Sequence, residues 1–260
     1  METITSKDNP LVKRLRALVT DPGAYRKLGQ VWLEGDHLVR ALWQRGGVAD
    51  VLVFSETGWG SADLHARLGG LPDGRCVVLP DHLMAQASGL EQAAPVGCLW
   101  TPPAGGTAQP GLATVVLDRL QDPGNVGSVV RSAAAMGFGQ VVALRGTAAL
   151  WSPKVVRAGM GAHFALNLVE GVGPDAVAAL GVPVLATSSH GGEWLHQARL
   201  PWPCAWLMGH EGQGVSEALM AQATQRIRIV QPGGEESLNV AAAAAICLHA
   251  SASTRAAAGL

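Results

Sequence analysis

Short apolar runs alternate with helix-patterned stretches along the second half of the chain. The runs predict strands at 112–117, 140–144, 165–169, 182–186, 204–208 and 226–230. Apolar residues at helical spacing predict helices at 127–136, 153–160, 215–223 and 239–252. Such alternation is typical of a mainly parallel sheet with helices on both faces, so an α/β fold is predicted.

The first hundred residues show the same two patterns. Helical spacing occurs at 9–20, 35–45 and 80–88, and strand-like runs occur at 50–54, 75–79 and 95–100. Residues 101–111 are rich in proline and glycine and lack apolar periodicity, as linkers do. We therefore predict a small α/β domain at 1–100, a linker at 101–111 and a second domain at 112–260.

Composition narrows the class of protein. With 48% hydrophobic and 15% charged residues, the 260-residue chain fits a compact α/β protein and not a disordered one. The first residues lack the order of a signal peptide, and no apolar run reaches the roughly 20 residues that span a bilayer, so we expect a cytoplasmic protein. The four widely spaced cysteines form no C-x-x-C pair and predict neither a disulfide nor a metal site.

Charge leaves two interpretations open. A net charge of −1 argues mildly against nucleic-acid binding, which usually leaves a basic footprint. The first 27 residues are nevertheless enriched in basic side chains, namely Lys7, Lys13, Arg14, Arg16, Arg26 and Lys27. They indicate either a local basic face for nucleic acid or a solvated first helix.

Loops that follow parallel strands are where ligands gather, and three of them carry unusual residues. The first runs from Asp118 to Arg131 through a Pro-Gly turn. Asn125 suits the N-cap region of the next helix, and Arg131 would lie within its first two turns, so we expect both side chains at one crevice. The alternative is a plain cap followed by a solvated arginine.

The second loop, residues 209–216, has three glycines in six positions, with Glu211 between two of them. Glycines let backbone approach a ligand closely, although a simple tight turn would explain them too. The loop fits neither the phosphate-binding P-loop nor the dinucleotide fingerprint.

The third loop, residues 231–240, enters an alanine-rich helix. Ser237 and Asn239 are good capping residues, and Glu236 suits the positive end of a helix dipole. Capping alone would explain this loop. It does not explain why all three loops occur in this order after three strands.

Together the three loops resemble the SpoU or TrmH family of RNA 2′-O-ribose methyltransferases, within the SPOUT superfamily. Residues 125–131, 209–214 and 237–240 match its first, second and third motifs, and residues 153–164 are similar to a segment between the first two. The N-terminal residues 9–13 and 34–35 are similar to its ribosomal-protein-like substrate-binding domain.

The resemblance implies several features. The parallel sheet would contain a deep trefoil knot that binds S-adenosylmethionine bent, mostly through backbone groups. Position by position, Gly209, Ile229 and Leu238 would contact the cofactor, with Thr187 as a further contact. Members are homodimers whose active sites take residues from both chains. No metal or membrane is implied, and the substrate would be large-subunit ribosomal RNA in preference to tRNA.

The resemblance also assigns catalytic roles. Arg131, Asn125, Glu211, Ser237 and Asn239 would surround the ribose hydroxyl. Deprotonating an arginine at pH 7 costs roughly 9 kcal/mol, so a cationic role that stabilises the developing oxyanion is favoured over a base role. In that role Arg131 would be held by Asn125, and Glu211 would hold Arg131 or the ribose.

Two departures from the family pattern bear on cofactor affinity. Val230-Gln231 stands where Pro-Met is usual, and His210 replaces a small polar residue. Because the cofactor contacts are mostly backbone, we expect tolerance.

The sequence disfavours three other functions. A non-catalytic RNA-binding factor of the same fold is disfavoured by the complete set of motif residues. Base methylation is disfavoured by the Ser-Leu-Asn motif at 237–239. A metal hydrolase built on His190 and His196 is disfavoured because H-E-x-x-H is absent.

Overall fold

A computed structural model describes residues 1–69, 74–233 and 237–259. The first part of the chain contains these elements: β1 (Glu2–Thr3), α1 (Pro10–Thr20), α2 (Ala24–Leu28), β2 (Val31–Glu34), α3 (Asp36–Gln44), β3 (Val51–Ser55), α4 (Glu56–Trp59), α5 (Ala62–Leu68), β4 (Arg75–Leu79), α6 (Asp81–Gln86) and β5 (Val96–Trp100).

The second part continues the alternation of strands and helices. Its elements are β6 (Thr114–Leu117), α7 (Pro123–Ala135), β7 (Gln140–Leu144), α8 (Pro153–Gly159), a 3₁₀ helix (Ala162–Ala165), β8 (Asn167–Val172), α9 (Asp175–Ala178), β9 (Val184–Thr187), β10 (Glu193–Trp194), β11 (Ala205–Met208), α10 (Glu217–Met220), β12 (Gln225–Arg228) and α11 (Val240–Ala257). Among the described residues no helix is long and apolar enough to cross a membrane.

The chain forms two compact units. The first comprises Met1–Ala104 and Trp151–Phe164, and the second comprises Gly105–Leu150 and Ala165–Leu260. The segment around α8 thus groups with the first unit although it lies far beyond the predicted linker. Its side chains explain this, because the rings of Trp151 and Phe164 lie 5.4 and 5.3 Å from the ring of Trp100.

The first unit contains a mixed sheet with the order β1-β4-β3-β5-β2 in the described residues. Strands β1, β4 and β3 are parallel, and β5 runs antiparallel to both β3 and β2. Strand β2, which the sequence patterns did not predict, is buried along its whole length. The ribosomal-protein-like resemblance of this unit stays a prediction.

The second unit contains a sheet with the order β10-β12-β9-β11-β6-β7-β8, and every pairing among its described strands is parallel. On one face Val116, Leu207 and Ala186 pack with Val177 and Leu219, which lie on α9 and α10. On the other face Trp206 donates from Nε1 to Ser251 Oγ on α11 (2.9 Å). The predicted α/β fold, a parallel sheet covered on both faces, is confirmed, and the trefoil knot stays a prediction.

Part of the predicted linker is fixed to this sheet. The buried Gln140 accepts from Gln109 N–H (3.0 Å) and Asn167 Nδ2 (3.1 Å), and donates to Gln109 O (2.9 Å) and Thr114 Oγ1 (2.8 Å). All four hydrogen-bonding positions of this amide are therefore occupied. Residues near Gln109 are held by the sheet and do not behave as a free tether.

Candidate active site

Four neighbouring strands end at one edge of the parallel sheet. These strands lie in the order β12-β9-β11-β6. Thr187 is the last residue of β9, and Ile229, Gly209 and Asp118 directly follow β12, β11 and β6. Because parallel strands end at the same edge, the loops with the predicted site residues all start there. The sheet therefore brings the three motif loops together.

The first loop enters α7 through a cap different from the predicted one. Asp122 is the N-cap, its Oδ1 accepts from Asn125 N–H (2.7 Å), and Pro123 occupies the first helical position. Proline fits that position because its missing N–H would have no partner there. Asn125 is the third residue of the helix, so the prediction that it occupies the cap is wrong, and its side-chain amide stays available for other contacts.

Asn125 joins the other two loops. Its Nδ2 donates to Glu211 Oε1 (3.3 Å), and its Oδ1 accepts from Asn239 Nδ2 (3.0 Å). Asn239 is the N-cap of α11, as predicted, with its Oδ1 accepting from Ala241 and Ala242 N–H. One amide thus connects all three motif loops.

Glu211 holds the first loop by its backbone. Its carboxylate accepts from Gln121 N–H (3.2 Å) and Asp122 N–H (3.1 Å), in addition to Asn125. Desolvation alone would raise the pKa of Glu211, but these hydrogen bonds, with one from its own N–H, outweigh it and lower the pKa. Glu211 positions Asn125 and the turn before it and does not hold Arg131 of the same chain; the alternative expectation, that it holds the ribose, stays a prediction.

The second loop closes tightly on itself. His210 and Gly214 exchange two backbone hydrogen bonds (3.0 and 2.8 Å), and a Cβ on Gly209 would lie only 2.1 Å from Gly214 C and Val215 N. Gly214 has φ +67°, a conformation that favours glycine. The loop therefore needs glycine at positions 209 and 214, and Gly209 is buried against the backbone of Gly214 and Val215.

Two residues that the sequence analysis did not select also shape this loop. Asp118 is 3% exposed, and its Oδ2 accepts from Ser216 N–H (2.7 Å). Arg119 donates from Nε to Asp118 Oδ1 (2.9 Å) and from Nη1 to Gln213 Oε1 (3.0 Å). The sequence signal that could have identified Asp118 is an acidic residue directly after a buried strand.

Arg131 lies apart from the three joined loops. It is the ninth residue of α7, beyond the predicted first two turns, and its side chain is exposed. Arg131 lies six positions after Asn125, which places the two about 120° apart around the helix axis and roughly 9 Å apart along it. No hydrogen bond or ion pair joins Arg131 to Asn125 or Glu211 in the described residues, so the expected holding of Arg131 by Asn125 does not occur within one chain.

The predicted cofactor residues lie at the same edge. Thr187 donates from Oγ1 to Leu207 O (2.9 Å), and Ile229 is partly buried. Leu238 and Ser237 are exposed, Asn239 and not Ser237 is the N-cap of α11, and Glu236 lies outside the described residues. The described residues contain no group of three or more His, Cys, Asp or Glu placed to hold a metal.

The cysteines stand apart from this site. All four are buried and free. Burial raises the pKa of the Cys204 thiol to about 11 and that of Cys247 to about 12, and it also raises the pKa of Cys76 and Cys98. Thiolate chemistry at neutral pH is disfavoured.

Comparison with known proteins connects this geometry to a family. Residues 113–249, which contain all three motif loops, match the model of the SpoU rRNA Methylase family. This chain belongs to the SpoU rRNA methylase family. The predicted resemblance is confirmed.

Individual members of the SpoU family match over different lengths. The 23S rRNA (guanosine(2553)-2′-O)-methyltransferase RlmP of Bacillus subtilis is 32% identical over 96% of this chain and 98% of its own. The 23S rRNA (guanosine-2′-O-)-methyltransferase RlmB of Bordetella pertussis is 33% identical over 54% of this chain and 59% of its own. An AdoMet-bound rRNA methyltransferase from Sinorhizobium meliloti superposes with a TM-score of 0.82, at 27% identity over 98% of both chains.

Proposed function

We propose that this protein transfers the methyl group of S-adenosylmethionine to a ribose 2′-OH of ribosomal RNA. The observation that carries the proposal is the Asn125 amide, which connects Glu211 and Asn239 at the carboxyl edge of the parallel sheet. Membership of the SpoU family and the likeness to RlmP over nearly the full chain support the same reaction.

The described residues fit the cofactor. Gly209 lets the loop fold closely on Gly214, which would set its backbone groups for the cofactor, and Leu238 offers an exposed apolar surface for an adenine ring. Thr187 and Ile229 would contact the cofactor from the two adjacent strands. When bound, S-adenosylmethionine supplies an electrophilic methyl group on a positively charged sulfur.

The protein's own residues would prepare the ribose oxygen. A 2′-OH is a very weak acid that loses its proton as it reacts, so charge develops on its oxygen. The guanidinium of Arg131 would stabilise that charge and contact the neighbouring phosphate. Asn125, held by Glu211, would orient the ribose with Ser237 and Asn239.

We further propose that the protein works as a homodimer, with Arg131 serving the site of the partner subunit. Arg131 points about 120° away from Asn125 on α7. The exposed face of α11 includes Ile246, which is 41% exposed, and the small residues Ala242 and Ser253. An apolar, small-residue face of this kind suits close packing against a second copy.

The choice of ribosomal RNA rests on the relatives. RlmP and RlmB are both named for 23S rRNA. The first unit would bind the RNA through the exposed basic residues Lys7, Lys13 and Arg14 on and before α1. We propose that the reaction takes place in the cytoplasm.

The decisive experiment maps ribose methylation by mass spectrometry in RNA from cells with the gene, without it, and with Arg131→Ala. We expect one 2′-O-methyl group in 23S rRNA to disappear with the gene and to stay absent with Arg131→Ala, while that variant still binds S-adenosylmethionine in calorimetry. Loss of a methyl group only in tRNA would overturn the assignment of ribosomal RNA as the substrate. A wild-type protein that binds no cofactor would overturn the function.

A further inference from the structure

We infer that Asp118 and Arg119 are positioning residues that set the affinity for the cofactor by holding the backbone of the loop at 209–216. The inference rests on the proposed function. Neither residue belongs to the three motifs at 125–131, 209–214 and 237–240. Both follow β6, at the start of the first loop.

The first two loops hold each other through their acidic residues. Glu211 of the second loop accepts from Gln121 and Asp122 N–H of the first. In return Asp118 of the first loop accepts from Ser216 N–H at the end of the second, at 2.7 Å. Asp118 is 3% exposed, so its charge is shielded from water and needs partners.

Arg119 supplies the partner for that buried charge. Its Nε and Nη2 donate to the two oxygens of Asp118 (2.9 and 3.4 Å). Its Nη1 continues to Gln213 Oε1 (3.0 Å), in the middle of the second loop. One guanidinium therefore links the buried carboxylate to the cofactor loop with a planar fork that lysine cannot reproduce.

The backbone of Arg119 pays a conformational cost for this position. Its φ is +59°, and in the described residues only Met160 shares a positive φ among the non-glycine residues. A side chain with a Cβ is disfavoured there, so glycine would be expected if the guanidinium did nothing. A strained arginine that makes three directed hydrogen bonds indicates a role for its side chain.

The consequence for function follows from how the loop would bind its ligand. Its backbone groups would contact the cofactor directly, and the close fold of Gly209 on Gly214 shows how narrowly the backbone is placed, so the affinity depends on where the backbone lies. Glu211, Gln213 and Ser216 fix three points of this loop, and Asp118 with Arg119 supplies two of them. Removal of the guanidinium should therefore weaken cofactor binding and leave the affinity for RNA unchanged.

Arg119→Gly separates this role from a merely structural one. Glycine relieves the positive φ but takes the guanidinium away from the buried Asp118 carboxylate, which keeps its bond from Ser216 N–H, so we expect thermal stability to fall and measure binding at a temperature where the variant is folded. The dissociation constant for S-adenosylmethionine, measured by calorimetry, should rise about tenfold, as for loss of a charge-assisted hydrogen bond. At saturating cofactor the kcat should stay within about twofold of wild type, which makes the effect one on KM.

Two further variants complete the test. Met160, in the first unit, is the other non-glycine residue with a positive φ among the described residues. Met160→Gly relieves that φ and should leave the dissociation constant for S-adenosylmethionine unchanged. Arg119→Lys keeps the charge but not the fork, so its dissociation constant should lie between those of wild type and Arg119→Gly. If wild type binds and Arg119→Gly binds equally well, the inference fails while the proposed function stands. If wild type does not bind, the proposed function itself fails.

Discussion

A methyl group added at Gly209 provides the sharpest test of backbone recognition at this site. In Gly209→Ala the new Cβ would lie 2.1 Å from Gly214 C and Val215 N and 2.6 Å from Gly214 O. The loop would have to open by about 1.3 Å to reach the 3.4 Å at which van der Waals contact becomes ordinary. All three atoms are backbone, so no side-chain rotation relieves the contact.

The magnitude follows from overpacking. Insertion of a methyl group into a closely packed structure costs about 1–3 kcal/mol. The loop of Gly209→Ala would avoid that cost by moving away from its binding position, so cofactor binding would have to supply the same energy to restore it. At about 1.4 kcal/mol per tenfold, affinity for S-adenosylmethionine should fall about 5- to 150-fold in calorimetry.

A matched control lies three residues away in the same loop. In Gly212→Ala the nearest atoms to the new Cβ are those of the His210 ring, at 3.8 and 3.9 Å, which is ordinary contact. We expect affinity close to wild type. Full affinity in Gly209→Ala, or an equal loss in both variants, would refute backbone recognition at Gly209.

Two other predictions concern the carboxylate and the core. The lowered pKa of Glu211 means that its carboxylate stabilises the fold fully above pH 4.5, its ordinary pKa, and that this contribution is lost as the pH falls through the lower pKa of the folded state. The difference in unfolding free energy between wild type and Glu211→Gln should therefore shrink below pH 4.5. A difference that stays constant with pH would contradict this. Ser251→Ala leaves the buried Nε1–H of Trp206 without its acceptor and should cost about 1–3 kcal/mol in denaturant unfolding, whereas the exposed Ser253→Ala on the same helix should cost almost nothing. Equal effects of the two serine variants would show that the hydrogen bond does not stabilise the fold.

Apolar periodicity predicted most of the second unit because its central strands β6, β7 and β11 are buried along their whole length. The predicted strand at 140–144 matches β7, and the helix at 239–252 is the start of α11. In α11 the buried Ala244, Cys247, Leu248 and Ser251 follow helical spacing. Short elements such as α9, with four residues, carry too few positions for a period to show.

The site was predictable as a set of loops but not as a set of contacts. Motif spacing placed Asn125, Glu211 and Asn239 on three loops, and the sheet brought them together. The cap was misassigned because Asp122 and Asn125 are both good caps, and Pro123 decides between them by favouring the first helical position. The contact of Asp118 with Ser216 joins residues almost a hundred positions apart in sequence, and no local sequence pattern predicts it.

His210 illustrates why a departure from the family pattern need not damage the site. Its backbone N–H and carbonyl close the loop with Gly214, which any residue can do. Its ring Nδ1 accepts from Gly212 N–H (3.0 Å) and so adds a local contact within the loop. The predicted tolerance at this position thus has a structural basis in the backbone.

The hydrogen bonds of the site also constrain how the ribose proton leaves. Glu211 accepts three hydrogen bonds and has a lowered pKa, so it is a weak base whose oxygens are already engaged. Asp118 is buried against Arg119 and Ser216. Because these two carboxylates are occupied in holding the loops, the described residues favour catalysis that lowers the energy of the developing alkoxide over catalysis by either of them as a strong base. A cation supplied at the ribose by Arg131 of the partner subunit would do this, which is why the dimer and the electrostatic role of that arginine belong to the same proposal.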